Sequence, residues 1–315
     1  MDRGARAAEP QTPQGIFATI AAAASALLTQ PLPILLPMAV DTWLWRGPRL
    51  SPEALTAPVA ALLAAQPDAD VRLAEAVLGW GRDGDLGAVV GWFVPSLLAG
   101  VEPAALIGAG GRPTVAPGLG AALLLLVALV VLAAVAVMAF KTPLARIAGG
   151  EAPYGQGLGR DVVRNAGRYL AFLGLVAAVL VGAAVVLGVA TAVGALAGVD
   201  LIPVVGLVAS FAVIVGAVAL AFVSEAIAYA KVGPVAAVRL SVSVVAAQPW
   251  AAVGLLLVLW LALFTLPQVL TPLLASGAGT VGAIACYAAV ATALALARMI
   301  FFAERLPAER IGARG

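Results

Sequence analysis

Apolar positions along this chain run in long blocks instead of alternating with polar ones. Residues 167 to 198 carry no charge after Arg168, and residues 201 to 224 carry none at all. Each block exceeds the roughly 20 apolar residues that a helix needs to cross a hydrocarbon core of about 30 Å. Stretches 249 to 271 and 279 to 302 repeat the arrangement, joined by a short uncharged turn over 272 to 278. The pattern predicts two membrane hairpins in the second half of the chain, a four-span unit over 167–302. A further run at 118–140, closed by Lys141, predicts another span. The proline-interrupted stretch Pro31 to Trp45, entered through a small apolar segment at 15–30, predicts an interfacial or tilted helix followed by the first span. That beginning also matches the outline of a signal peptide, a reading given less weight than the span.

Charge sets the expected orientation. The turns near 199–203 and 272–278 hold no Lys or Arg, whereas Arg164, Arg168, Lys231, Arg239, Arg298 and Arg305 flank the spans on the other side. Short loops rich in Lys and Arg stay cytoplasmic. The expectation is six spans with both termini cytoplasmic: tails at 1–14 and 303–315, a cytoplasmic linker at 141–166, and a long extracytoplasmic segment at 46–117. That segment reads as helical. Ser51-Pro52-Glu53 starts one helix, Asp68 or Asp70 starts a second that ends at Trp80, and 86–99 is apolar but too short to span. It suits an interfacial or re-entrant helix. Trp43 and Trp45 would mark an aromatic belt at the outer surface.

A weak internal repeat accompanies this parse. Gln30-Pro31 precedes span one and Gln248-Pro249 precedes span five, and 161–170 holds a similar place before span three. Each hairpin would then be prefaced by a short amphipathic helix on the inner surface, most clearly at 232–248, where Pro234 opens the helix and Arg239 and Ser243 share a face.

Composition excludes a soluble globule. Hydrophobic residues make up 63% of the chain and charged residues 11%, with a mean hydropathy of +1.07, against about 45–50% apolar and about 25% charged in soluble domains. The fold class expected is an all-α integral membrane protein. Arg far outnumbers Lys, and Ala, Gly and Val dominate, as in a GC-rich bacterial genome. A net charge of +2 offers no basis for nucleic-acid binding. Histidine is absent, which removes the commonest general base and metal ligand. The single cysteine, Cys286, lies in the last apolar stretch and is expected to be an inert packing residue.

The run Glu225 to Lys231, Gly233-Pro234, Arg239, Ser241 and Gln248-Pro249-Trp250 resembles the junction in a broad group of bacterial multispanning proteins. That group is related to the membrane domain of glycerophosphodiester phosphodiesterases and, more distantly, to Yip-type membrane proteins. The resemblance covers about 160–302 and implies a helical membrane fold without an agreed activity; the acidic residue usual before the glycine is replaced here by Lys231-Val232, and the phosphodiesterase catalytic domain is missing.

Candidate chemistry is sparse. Glu225 is the acidic residue inside a span beyond residue 41, and an ionisable group in a membrane is a functional candidate by default. A structural ion pair with Lys231, Arg239 or Arg168 is the favoured reading; a proton or substrate role and simple interfacial exposure are the others. Asp41 is expected to pair locally with Arg46 or to lie at the outer surface. Gly194–Gly198 and Gly206–Ser210 are small-residue patterns that permit close helix contact. Gly155-Gln-Gly157-Leu-Gly159 lacks the Gly-Lys-Ser/Thr ending of a phosphate loop and reads as linker. No catalytic constellation, cofactor site or metal cluster stands out, so a non-enzymatic membrane scaffold or lipid-interacting protein is expected. The alternative is a small-solute transporter or permease component. Expected partners are membrane lipid and a protein partner or second copy, with no nucleic acid.

Overall fold

In a computed structural model of the chain, residues 14–65, 71–100, 112–199 and 201–306 are described. Residues 1–13 of the expected 1–14 tail and 307–315 of the expected 303–315 tail, together with Asp68, Asp70 and Glu102, lie outside them. The described residues form an all-α membrane protein. Helices α1 (Ile16–Thr29) and α2 (Leu35–Arg46) are followed by strand β1 (Arg49–Leu50), then by α3 (Glu53–Ala64), α4 (Val71–Asp83) and α5 (Ala88–Phe93). Strand β2 (Thr114–Val115) pairs in parallel with β1 and leads into α6 (Leu119–Ala148) and α7 (Leu158–Leu196). The chain continues through α8 (Ile202–Ala219), α9 (Val223–Ala230), α10 (Pro234–Ala247), α11 (Pro249–Leu270) and α12 (Gly277–Glu304).

Five of these stretches are long and apolar enough to cross a membrane: α6, α7, the combined α8–α9, α11 extended by a 3₁₀ turn to Ala275, and α12. The sixth expected span departs from a straight rod. α1 and α2 meet at a 95° bend, because Gln30 precedes proline and is held out of the helical region. The same device recurs between α10 and α11. Gln30 has φ −138° and ψ 69°, and Gln248 has φ −143° and ψ 68°, so the two Gln-Pro junctions of the sequence repeat share one backbone conformation. The third member of the proposed repeat does not: 161–170 is continuous with the apolar body of α7. The 141–166 linker also contracts. α6 runs on to Ala148 and α7 begins at Leu158, leaving a turn that Arg146 pins by donating to Gly155 O (3.1 Å) and Gln156 O (3.2 Å) and pairing with Asp161 (3.0 Å).

α12 is the central helix, with more than half of its apolar stretch buried against α1, α2, α6, α9 and α11. α7 and α8 are peripheral. Beyond Phe172, α7 buries almost nothing, and α8 touches it only near their connecting turn, where Gly198 takes a left-handed φ of 73°. Of the small-residue patterns only Gly194 serves close contact, since a Cβ there would strike Leu201 at the connecting turn, whereas one on Gly198 or Gly206 would meet open space. Cys286 likewise lies on the outward face of α12, not in its packing seam.

The segment between α2 and α6 is helical as expected. α3 and α4 pack as a hairpin, started where Ser51 Oγ accepts from Glu53 N (3.3 Å) and donates to Gly81 O (3.0 Å). α5 and the irregular chain after it bury Val90, Val94, Leu97 and Leu98 in the same core as α6 and α12. Asp85 ties the segment together, accepting from Leu50 N (3.1 Å) and Gly87 N (2.8 Å) and pairing with Arg112 (2.9 Å).

Candidate functional site

Span four is broken between α8 and α9, and no proline or glycine stands at the break, residues 220–222. The cause is Ser241 of α10. Its Oγ donates to Ala219 O (2.6 Å) and accepts from Phe222 N (3.0 Å), replacing bonds of the helical ladder. Phe222 is fully buried and stacks on Phe301 (5.6 Å between centroids) and Phe302 (6.2 Å), which anchors the break to α12. Backbone freed inside a membrane must find other partners; here Arg298 supplies one by donating to Ala221 O.

The break creates the setting for Glu225, which lies in the first turn of α9. The positive end of that short helix favours a carboxylate, and the carbonyl end of α8 favours the Arg298 guanidinium. Glu225 is 1% exposed. Lys141 Nζ donates to its Oε1 at 2.6 Å and to Ser224 Oγ at 2.5 Å. Arg298 lies with Nε 2.8 Å from Oε1 and donates through Nη2 to Oε2 at 2.8 Å, and Ser224 Oγ donates to Oε2 at 3.0 Å. Two cations against one carboxylate leave one positive charge.

The ion pair expected for Glu225 is present, with different partners. Lys231 instead pairs with Asp161 (3.0 Å), Arg168 donates to Asn165 Oδ1 (3.2 Å), and Arg239 is exposed, with no ion pair or hydrogen bond among the described residues. Local proximity in sequence is not proximity here, because Lys231 follows α9 in a left-handed turn (φ 54°) that carries it away. Lys141 and Arg298 read from the sequence as flanking charges, although Arg298 falls within the 279–302 stretch of the last span. Asp41 also departs from expectation. It is fully buried and accepts from Ser96 Oγ (2.5 Å), Leu97 N (3.1 Å) and Leu98 N (3.1 Å), holding the chain after α5 against α2. Arg46 lies over the Trp45 ring (3.9 Å), and Trp45 is buried, so it is a core residue and not part of an outer belt.

Beside the ion cluster lies a cavity of about 620 Å³, within the usual range for ligand sites. Lys141, Glu225 and Arg298 form its charged end; Ala217, Leu256, Leu259, Leu263, Ala291 and Leu294 line its walls; Ser96 and Tyr287 lie at the far end. Tyr287 and Arg298 are eleven residues apart on one face of α12, about 16 Å along the axis. Trp92 and Trp260, both more than half exposed, flank the opening. Trp260 stands midway along α11, so the opening faces sideways from the bundle at mid-span. Among the described residues no three His, Cys, Asp or Glu side chains come close enough to hold a metal ion.

The fold and this site define a class, a multi-pass helical membrane protein with a charged cavity in its bundle. Comparison of the chain with family models, with curated proteins and with solved structures returns no match in any of the three.

Proposed function

We propose that this chain is a non-enzymatic, lipid-interacting membrane protein that holds the hydrocarbon part of an amphiphile in its lateral cavity. It would lie in the plasma membrane of a bacterium with both termini cytoplasmic, as the Arg-rich flanks of the spans favour. The observation that carries the reading is the cavity itself: apolar walls, an opening at mid-span and polar groups confined to its ends. A water-soluble solute would need polar groups along its path; a lipid chain needs their absence. The test is saturable quenching of tryptophan fluorescence by brominated-chain phospholipid in detergent. Wild type is expected to saturate at about one lipid per chain, because Trp92 and Trp260 flank the opening. Ala295→Phe, which fills the cavity, is expected to abolish saturation at unchanged thermal stability. Non-saturating quenching in both proteins would refute the proposal.

The broken span four favours a second reading, a small-solute transporter, since discontinuous helices mark binding sites in such proteins. Aqueous thiol labelling of Ala217→Cys in a Cys286→Ala background separates the two. Labelling means a water-filled path and supports transport; protection, in a folded protein, supports the lipid reading.

A further inference from the structure

We propose that the ligand of the cavity carries an acidic headgroup, that of an anionic phospholipid, and that Arg298 is the residue that reads it. The inference rests on the lipid reading above and adds the chemistry of the headgroup. Three observations carry it. The first is charge: the base of the cavity holds Lys141 and Arg298 against Glu225 alone, a surplus of one positive charge in a bilayer setting where an uncompensated charge is costly. An acidic headgroup neutralises it, and a zwitterionic one brings no net charge to do so.

The second is unused donor capacity. Glu225 and Ser224 hold Lys141 Nζ, whose side chain is 11% exposed. Arg298 Nη2 donates to Glu225 Oε2 and Ala221 O, and Nε lies 2.8 Å from Glu225 Oε1 without forming a hydrogen bond, while Nη1 has no partner among the described residues. The Arg298 side chain is 26% exposed and lines the cavity. The free Nη1 of this guanidinium can donate to a phosphodiester oxygen, and the charge beside it draws the anion. Glu225 and Ala221 fix the fork, so little side-chain freedom is lost when an anion arrives.

The third is depth. Lys141 lies seven residues before the end of α6, Arg298 six before the end of α12 and Glu225 five before the end of α9, all about 8–10 Å inside the same end of the bundle. α12 is about 42 Å long and, centred on a hydrocarbon core of about 30 Å, extends about 6 Å beyond it on each side. Arg298 then lies within about 3 Å of the hydrocarbon boundary, where a lipid's phosphate and glycerol are found. From there the cavity runs about 16 Å toward Tyr287, against about 15 Å for one leaflet. Headgroup at Arg298 and chain toward Tyr287 is the arrangement that the leaflet itself imposes.

The test uses the full chain in detergent, titrated with brominated phosphatidylglycerol and with brominated phosphatidylcholine of identical chains. Wild type is expected to bind the anionic lipid about 10-fold more tightly, equivalent to about 1.4 kcal/mol. Arg298→Gln is expected to weaken phosphatidylglycerol binding more than phosphatidylcholine binding and so bring the two within about twofold, and Arg298→Lys, which keeps the charge, to retain most of the preference. Equal saturable binding of both lipids by wild type overturns the headgroup assignment and leaves the lipid-holding function standing. Saturable binding of neither overturns both. Displacement of the anionic lipid by excess inorganic phosphate as effectively as by unlabelled phosphatidylglycerol overturns the choice of a lipid as the source of the anion. An undiminished preference in folded Arg298→Gln overturns the role of Arg298.

Discussion

Replacing Glu225 by alanine removes the carboxylate that Lys141 and Arg298 share, and the structure sets the scale of the result. Both cations lie within 2.8 Å of Glu225 oxygens, and the Lys141 and Glu225 side chains are 11% and 2% exposed. Loss of one partner from a buried ion pair costs about 3–5 kcal/mol in soluble proteins, because the remaining charge is stranded. In a membrane the unfolded reference also finds polar partners, which reduces the hydrogen-bond part of the loss. The charge part remains, so about 3 kcal/mol is expected for Glu225→Ala. Glu225→Gln keeps the volume and one acceptor oxygen and is expected to lose about 2 kcal/mol. Lys141→Met leaves Glu225 neutralised by Arg298, with an expected loss of about 1 kcal/mol.

The order of these three variants tests the reasoning, and pairing Glu225→Ala with Lys141→Met tests the coupling. The double variant is expected to lose less than the sum of the singles by about 1–2 kcal/mol, since residues in one network are not additive. The assay is equilibrium unfolding of purified protein in mixed micelles, with folded yield by size exclusion as a second readout. Equal losses for Glu225→Ala and Glu225→Gln, or strict additivity in the double variant, would refute the ion-cluster account.

Two further predictions concern the same architecture. Asp41→Ala orphans Leu97 N and Leu98 N and is expected to lose about 2–4 kcal/mol in that unfolding assay, with Asp41→Asn losing about half as much; a neutral Asp41→Ala would exclude the clamp on the chain after α5. Lys231→Gly relieves a left-handed residue, a strain of about 1–2 kcal/mol, and gives up a half-exposed pair with Asp161 worth about 0–1 kcal/mol. It is expected to leave the unfolding midpoint unchanged or raised, while Lys231→Val lowers it.

The helices were legible in the sequence where local physics suffices. Apolar runs of spanning length at 118–140, 249–271 and 279–302 correspond to α6, α11 and α12, and the Ser51-Pro52-Glu53 start of α3 follows from capping alone. Both Gln-Pro junctions were visible too, and proline's effect on the preceding residue gave them the same backbone conformation. Helix ends were less legible. Lys141 read as a stop because a charge ordinarily leaves the membrane, whereas here a carboxylate 84 residues away holds it inside the bundle. The break in span four had no local signal at all: its cause, Ser241, lies on the next helix.

The site was half legible for the same reason. Glu225 stood out as a charge in an apolar run, since burying an ion carries a cost that any sequence reader can count. Its partners did not, because Lys141 and Arg298 reach it through the packing of α6 and α12 against α9, and such packing leaves no periodicity in the chain. The amino-acid sequence by itself determined a helical membrane protein, through an excess of apolar residues and the need of every backbone group for an internal partner. Only the tertiary structure decided which charges neutralise one another, where span four breaks and that a cavity remains beside it, because those outcomes depend on contacts between different helices: the Glu225 partners lie more than 70 residues away, and Ser241 reaches the break from the next helix.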